Sequence, residues 1–127
     1  MYYHNNIEKE TLKNNHYRKV LYTDKGKSQL VLMCLNPGED IPLETHDDVS
    51  QFFQIKSGKG IAFIDNQKKL LKDGTTLIIS PGSKHYIKNT SKTTKLKLYS
   101  IYSPDEHPPN RVDKRQPFIN KIDFKKN

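Results

Sequence analysis

Turn-forming residues return along this chain at intervals of roughly 8–12 positions, which is the spacing of a small β-sandwich or barrel. The clearest turns are Pro37-Gly38, Asp65-Asn66, Asp73-Gly74 and Pro81-Gly82. The apolar runs between the turns are short, and the residues before position 104 show no convincing helical period. The sequence therefore predicts an all-β fold.

The predicted strands are short. In the strand "LKLYSIYS", Leu96 and Leu98 share one face, because side chains alternate along a strand. The segment "QLVLMCLNPG" is apolar at odd and even positions alike, which predicts a strand buried on both faces. The other strand segments are "RKVLYT", "IPLETH", "SQFFQIKSG", the hairpin "KGIAFIDNQKKLLKDG", "TTLIISPG", "KHYIKNTS" and "LKLYSIYS".

The length of 127 residues suits a single domain. We expect an N-terminal strand or arm at 1–28, a β-barrel at 29–103, and a Pro-rich, then basic, tail at 104–127. Two alternatives are open for the tail: it packs on the surface of the barrel or of a partner subunit, or it stays mobile. No run approaches the roughly 20 apolar residues of a membrane span, and the N-terminus lacks a signal-peptide pattern. We therefore expect a cytoplasmic protein without membrane attachment.

Composition argues against two other classes of function. Cys34 is the single cysteine, so an internal disulfide and thiolate-rich metal sites are excluded, and its apolar surroundings predict a buried, inert thiol. The net charge of +8 comes mostly from scattered lysines. Arginine is confined to Arg18, Arg111 and Arg115, and neither an aromatic-basic RNA motif nor a basic helix is present. A solvated basic surface is favoured over nucleic-acid binding.

Four polar residues at strand edges are candidates for a metal site: Glu44, His46, Gln51 and His85. Glu44 and His46 lie at i and i+2, so both side chains point to one face of an extended strand. Gln51 begins the next strand, and His85 follows the Pro81-Gly82 turn. If the sheet closes into a barrel, all four can point inward at one end. Such a mixed N/O set suits Zn, Mn, Fe, Ni or Co as divalent ions.

The spacing of these residues resembles that of the cupin family. The first cupin motif is a glycine, five residues, His-x-His, three or four residues, a glutamate, six residues and a glycine. In this chain the corresponding run is Gly38, five residues, Glu44-Thr45-His46, four residues, Gln51, six residues and Gly58. Glutamate thus stands for a histidine and glutamine for the glutamate.

The second cupin motif is a glycine, five residues, Pro-x-Gly, two residues, a histidine, three residues and an asparagine. Here it corresponds to Gly74, Ser80-Pro81-Gly82, His85 and Asn89 at those offsets, with Ser80 in place of the first proline. The resemblance implies a single-domain double-stranded β-helix, the jelly-roll-like barrel of cupins. It also implies a divalent transition metal held by Glu44, His46, Gln51 and His85.

A narrower resemblance concerns the substrate. "RKVLYT", "QLVLMCLNPGEDI" and "LKLYSIYSPDEHPP" are similar to short cupins labelled mannose-6-phosphate-isomerase-like. Zinc-dependent phosphomannose isomerases use glutamine, histidine, glutamate and histidine as ligands, which are the same four residue types. This chain lacks the length and the helical domains of those isomerases, so the resemblance implies a barrel with a metal site first, and an isomerase-like activity on a sugar or sugar phosphate second.

Several alternatives remain open at the level of sequence. The protein is a metal-dependent isomerase, a non-catalytic sensor or binding module for a small molecule, a metal-dependent dioxygenase of a small organic acid, or a basic adaptor. For an enzyme, the candidate catalytic residues are Glu44 and His107, which would move a proton. We also expect a homodimer, because small open barrels tend to cover their edge strands with a partner.

Overall fold

The computed structural model describes residues 1–117, and nearly all of their regular structure is β. The expected all-β fold is therefore confirmed, with the addition of one short helix. The elements are α1 (Ile7–Lys13), β1 (Arg18–Asp24), β2 (Ser28–Leu35), β3 (Asp40–Glu44), β4 (Ser50–Ser57), β5 (Gly60–Ile64), β6 (Gln67–Leu71), β7 (Thr76–Ile79), β8 (His85–Lys88), β9 (Leu96–Ser103) and β10 (Val112–Asp113).

The strands form two antiparallel sheets. One has six strands in the order β10-β1-β2-β9-β4-β7, and the other has four in the order β3-β8-β5-β6. Alternation places one face of each strand in the core, as in β9, where Leu96 and Leu98 are fully buried as predicted. The core cluster draws from both sheets, with Val31, Phe53 and Ile87 among its fully buried members. The polar site described below lies where this cluster ends.

Helix α1 corrects the expectation that no helix precedes residue 104. The side chain of Asn6 caps it by accepting a hydrogen bond of 2.9 Å from the backbone N–H of Lys9. The helix packs against β2, β4 and β9 of the six-stranded sheet. This packing explains why Leu32 and Cys34 of β2 are buried although they alternate with the core residues. The prediction of a strand buried on both faces is confirmed, and the thiol is buried and free.

The first part of the expected tail lies against the barrel. Strand β10 pairs with β1, and the backbone N–H of Val20 donates to the carbonyl of Arg111. The Gln116 side chain exchanges hydrogen bonds with Asp40. Residues 118–127 lie outside the described part of the chain, and the domain boundaries at 28/29 and 103/104 stay predictions. Within residues 1–117 we find no helix of a length and apolarity that would let it cross a membrane.

Candidate metal centre

Three of the four predicted ligands are brought together by the pairing of β3 with β8. Glu44 ends β3, and its Cα pairs across the sheet with His85, which begins β8. The register shifts between Ile41 and Glu44, which sets this pairing. His46 lies two residues beyond the end of β3, in the connection to β4. The cluster therefore lies at one end of the four-stranded sheet.

The side chains of Glu44, His46 and His85 converge closely. Each offers one ligand atom, and these atoms all lie within 4.8 Å of one another. Nε2 of His46 is 3.1 Å from a carboxylate oxygen of Glu44, and the two imidazole centroids are 5.3 Å apart. Two nitrogen donors and a carboxylate on one side leave the opposite side open for water or a substrate. The group could hold a divalent ion.

One ring nitrogen of each histidine faces this space without a hydrogen-bond partner. Nδ1 of His85 lies 3.2 Å from the carbonyl of Ser83, which only accepts, so Nδ1 carries the proton and Nε2 the lone pair. Nε2 of His85 is buried and has no hydrogen-bond partner. Nε2 of His46 is likewise buried; its short approach to Glu44 lacks the alignment of a hydrogen bond. Buried polar atoms normally find partners, so these atoms are suited to an ion.

Gln51, the fourth predicted ligand, lies on the facing sheet. Its residue is 2% exposed, and its Cα pairs with Tyr102 and Ile79. Its Nε2 donates a hydrogen bond of 3.1 Å to Ser100 Oγ, which leaves Oε1 without a partner. This orientation directs the amide nitrogen to the sheet and frees the oxygen, the atom by which an amide ligates a metal. Ligation by Gln51 stays a prediction.

The protonation of the cluster follows from its mutual contacts. Burial opposes ionisation of Glu44, but the nearby imidazoles, mainly that of His46, outweigh it and lower the pKa of the carboxyl. The same carboxylate raises the pKa of His46. Burial lowers the pKa of His85, which favours the neutral ring that a metal requires. The carboxylate and one neutral imidazole are thus ready for an ion, whereas His46 would release a proton on binding one.

Two further residues border the cluster that the sequence did not single out as site residues. The ring of Tyr102 is buried and stands edge-on to His46, with centroids 6.3 Å apart at 83°. Tyr102 shares its face of β9 with the buried Leu98, but alternation alone does not tell a ligand-facing position from one against a partner subunit. A carboxylate oxygen of Glu106 lies 3.7 Å from Nδ1 of His46, on the side away from Glu44. Such a carboxylate orients a ligating imidazole, but no spacing in the sequence indicated it.

His107, a predicted catalytic residue, lies next to Tyr102 rather than among the three clustered ligands. Its Nε2 is 3.3 Å from the Tyr102 hydroxyl, and its Nδ1 is 3.4 Å from Nη1 of Arg111. The Gln29 side chain holds the His107 backbone through bonds of 2.9 and 2.7 Å. Burial, followed by the charges of Arg18 and Arg111, lowers the pKa of His107 to about 4. The ring is therefore neutral near pH 7.

Several known proteins are similar to this chain in sequence or in structure. The cupin domain family model matches residues 31–102. Protein L612 of Acanthamoeba polyphaga mimivirus is 45% identical over 115 residues, covering 88% of this chain and 71% of L612. YrkC of Bacillus subtilis is 41% identical over 109 residues, covering 81% of this chain but only 58% of YrkC. The structure of BH2720 from Bacillus halodurans is 35% identical, with a TM-score of 0.84 and 89% coverage of each chain.

Proposed function

The chain belongs to the cupin family, and from that premise we propose that it binds a divalent transition metal and acts on a small polar metabolite. The supporting observation is the convergence of Glu44, His46 and His85, whose ligand atoms lie within 4.8 Å of one another. The donor set of two imidazoles and a carboxylate suits zinc, manganese, iron or nickel. Gln51 is the proposed fourth ligand, because its free Oε1 is buried on the facing sheet.

The leading reaction in this proposal is an isomerisation of a sugar or a sugar phosphate. A bound metal would supply Lewis-acid polarisation of a substrate carbonyl or hydroxyl. Glu44 and His107 are the proposed proton-transfer groups, and Tyr102 lies between His46 and His107.

A second candidate, a binding cupin without catalysis, is favoured by the pKa values of the same groups. The imidazoles lower the pKa of Glu44, and burial lowers that of His107 to about 4. Efficient proton transfer requires a pKa near the working pH. Both groups are therefore weak bases at pH 7 unless a substrate changes their surroundings.

Metal binding is the primary test. Full-length protein is stripped with a chelator and titrated with Zn²⁺, Mn²⁺, Fe²⁺ and Ni²⁺ by calorimetry, and metal content is measured after dialysis. We expect about one ion per chain in the wild type and strong loss in His46→Ala and His85→Ala. His4→Ala is the matched control, because His4 is exposed and lies outside the cluster. Equal metal content in all four proteins would contradict the proposed centre.

Activity then separates the candidate functions. Aldose–ketose interconversion of sugars and sugar phosphates, followed by NMR on the zinc- or manganese-loaded protein, would support the isomerase. Binding of those compounds without turnover would support the binding cupin. Oxygen uptake by the iron-loaded protein with small organic acids would instead support a dioxygenase.

The proposed homodimer concerns a different surface. Strand β7 is an edge of the six-stranded sheet, and its Ile78 is 72% exposed. An exposed edge strand with an apolar side chain is a common site of association. Size-exclusion chromatography with light scattering should give twice the chain mass, and Ile78→Lys should shift it toward the monomer. A monomeric wild type would contradict this proposal.

A further inference from the structure

Two of the chain's three arginines meet at one surface recess beside the candidate metal centre. The recess has a volume of about 340 Å³, and its walls include Arg18, Glu44, Thr45 and Arg111. Glu44 belongs both to the metal-ligand cluster and to the wall of this recess. A molecule in the recess would therefore lie next to a proposed metal ligand.

The pairing of β10 with β1 brings the two arginines together. Arg18 begins β1, and its Cα pairs with Asp113 in β10. One carboxylate oxygen of Asp113 lies 2.6 Å from Nη1 of Arg18 and 3.1 Å from Nε of Arg111. A single carboxylate is thus shared by two guanidinium groups. The two guanidinium groups and Asp113 together carry one positive charge in excess, which the Glu44 carboxylate in the recess wall balances as long as no cation is bound there.

Arg18 has hydrogen-bonding capacity that its neighbours do not use. The residue is 8% exposed, and its Nε is buried without a hydrogen-bond partner. An unpaired buried N–H of a charged group is costly. Because Arg18 lines the recess, its guanidinium group could donate to a ligand oxygen there. Arg111 is more accessible, with 36% of its side chain exposed.

The surroundings favour an anion over a neutral ligand. A planar guanidinium is the side chain best shaped to bind the oxygens of carboxylate and phosphate. The pKa of the neighbouring His107 is lowered first by burial and then by the charges of Arg18 and Arg111, while Glu44 and Asp113 act in the opposite direction. Glu44 opposes the positive charge of the arginines, and a divalent ion held by Glu44 would offset its charge.

We propose that Arg18 and Arg111 form an oxyanion subsite that binds the carboxylate or phosphate group of a small metabolite, whose other polar end reaches the metal cluster. This inference rests on the proposed function, and it narrows the substrate class to anionic metabolites. Sugar phosphates and sugar acids fit it, whereas unmodified neutral sugars do not.

The test measures anion binding by calorimetry at constant ionic strength, with inorganic phosphate, gluconate and mannose as probes. We expect phosphate, gluconate or both to bind the wild type, and mannose to bind at least tenfold more weakly. Tighter binding of phosphate identifies a phosphoryl group as the natural partner, and tighter binding of gluconate identifies a carboxylate. Equal affinity for mannose, or no binding of either anion, would overturn the proposal.

Substitution of each arginine locates the subsite. Arg111→Gln should weaken binding of the preferred anion by about tenfold or more, since hydrogen bonds to charged groups are among the stronger ones. Arg18→Lys keeps the charge, removes the Nε donor, and should also weaken binding. Arg115→Gln is the matched control, because Arg115 is exposed and lies outside the recess walls. An unchanged Arg111→Gln variant, or an equal loss in Arg115→Gln, would refute the subsite.

Titrations of metal-free and metal-loaded protein keep this inference separate from the metal proposal. Anion binding that depends on Arg111 in a protein without metal affinity would refute the metal centre and support the subsite. Metal binding at Glu44, His46 and His85 without any anion affinity would refute the subsite and support the metal centre. Both arginine variants should retain the wild-type metal affinity, because neither residue is a proposed ligand.

Discussion

Replacing Gly82 with alanine should weaken the candidate metal centre as well as the fold. Gly82 has a φ of +87°, and its backbone N–H donates a hydrogen bond of 2.7 Å to the carbonyl of His46. It also lies three residues before His85 in the turn that leads into β8. This one residue therefore positions both histidines of the cluster.

The expected loss of unfolding free energy in Gly82→Ala comes from the backbone conformation alone. A Cβ added at Gly82 would meet no heavy atom within 4 Å, so no steric clash contributes. The left-handed conformation costs about 1–2 kcal/mol for a residue with a side chain. For a domain of this size such a loss lowers Tm by roughly 3–10 °C. If the turn relaxes toward negative φ, the bond to His46 is lost and metal affinity should fall about tenfold or more, as for other orienting contacts.

Gly74→Ala is the matched control. Gly74 has a φ of +89°, no atom within 4 Å of an added Cβ, and a hydrogen bond of 2.9 Å from its N–H to the carbonyl of Ile55. The two variants should lose similar stability in urea denaturation, but only Gly82→Ala should lose affinity in zinc or manganese titrations. Equal metal affinity in the two variants would refute this role of the turn.

Two other predictions test groups near the site. Asn89→Ala should cost about 1–3 kcal/mol of unfolding free energy without loss of metal affinity, because Asn89 Nδ2 donates to the carbonyls of Leu35 and Thr94 at 2.9 Å; an unchanged urea midpoint would contradict this. His107 has a folded-state pKa of about 4, below the unfolded value of about 6.5, so its contribution is present above pH 6.5 and is lost as the pH falls toward 4. This contribution is at most about 3 kcal/mol. The drop in unfolding free energy between pH 7 and pH 4.5 should be smaller in His107→Gln than in the wild type, and equal drops would refute the assignment.

The strands were predictable because alternation and turn chemistry act locally. The Asp65-Asn66 turn joins β5 to β6, and both residues have positive φ, at +48° and +69°. Asparagine and aspartate tolerate that conformation better than most residues. The convergence of Glu44, His46 and His85 was predictable only through the fixed spacing of the two cupin motifs. The sequence alone does not give the register shift in β3 that pairs Glu44 with His85.

Helix α1 was missed although local signals for it exist. Asn6 is a favourable N-cap, Glu8 and Glu10 lie in the first turn, and Lys13 lies in the last. The helix has seven residues, of which only Thr11 is buried, so an apolar period is nearly absent. Its stability comes from packing on the six-stranded sheet, a tertiary contact that the hydrophobic pattern does not show.

Relative to the usual cupin pattern, Glu44 replaces a histidine and Gln51 replaces a glutamate, and this departure has a physical consequence. A carboxylate at position 51 would lie on the six-stranded sheet, where the Gln51 amide now donates to Ser100. The carboxylate stands instead at Glu44, on the wall shared by the ligand cluster and the arginine recess. A metal at Glu44 would be held within reach of an anion on Arg18 and Arg111, which gives the departure from the motif a role in substrate choice. A Glu44→His, Gln51→Glu double variant restores the usual pattern. It should keep its metal affinity, but its anion affinity in the metal-loaded state should change. Phosphate and gluconate titrations that match the wild type would refute this role of Glu44.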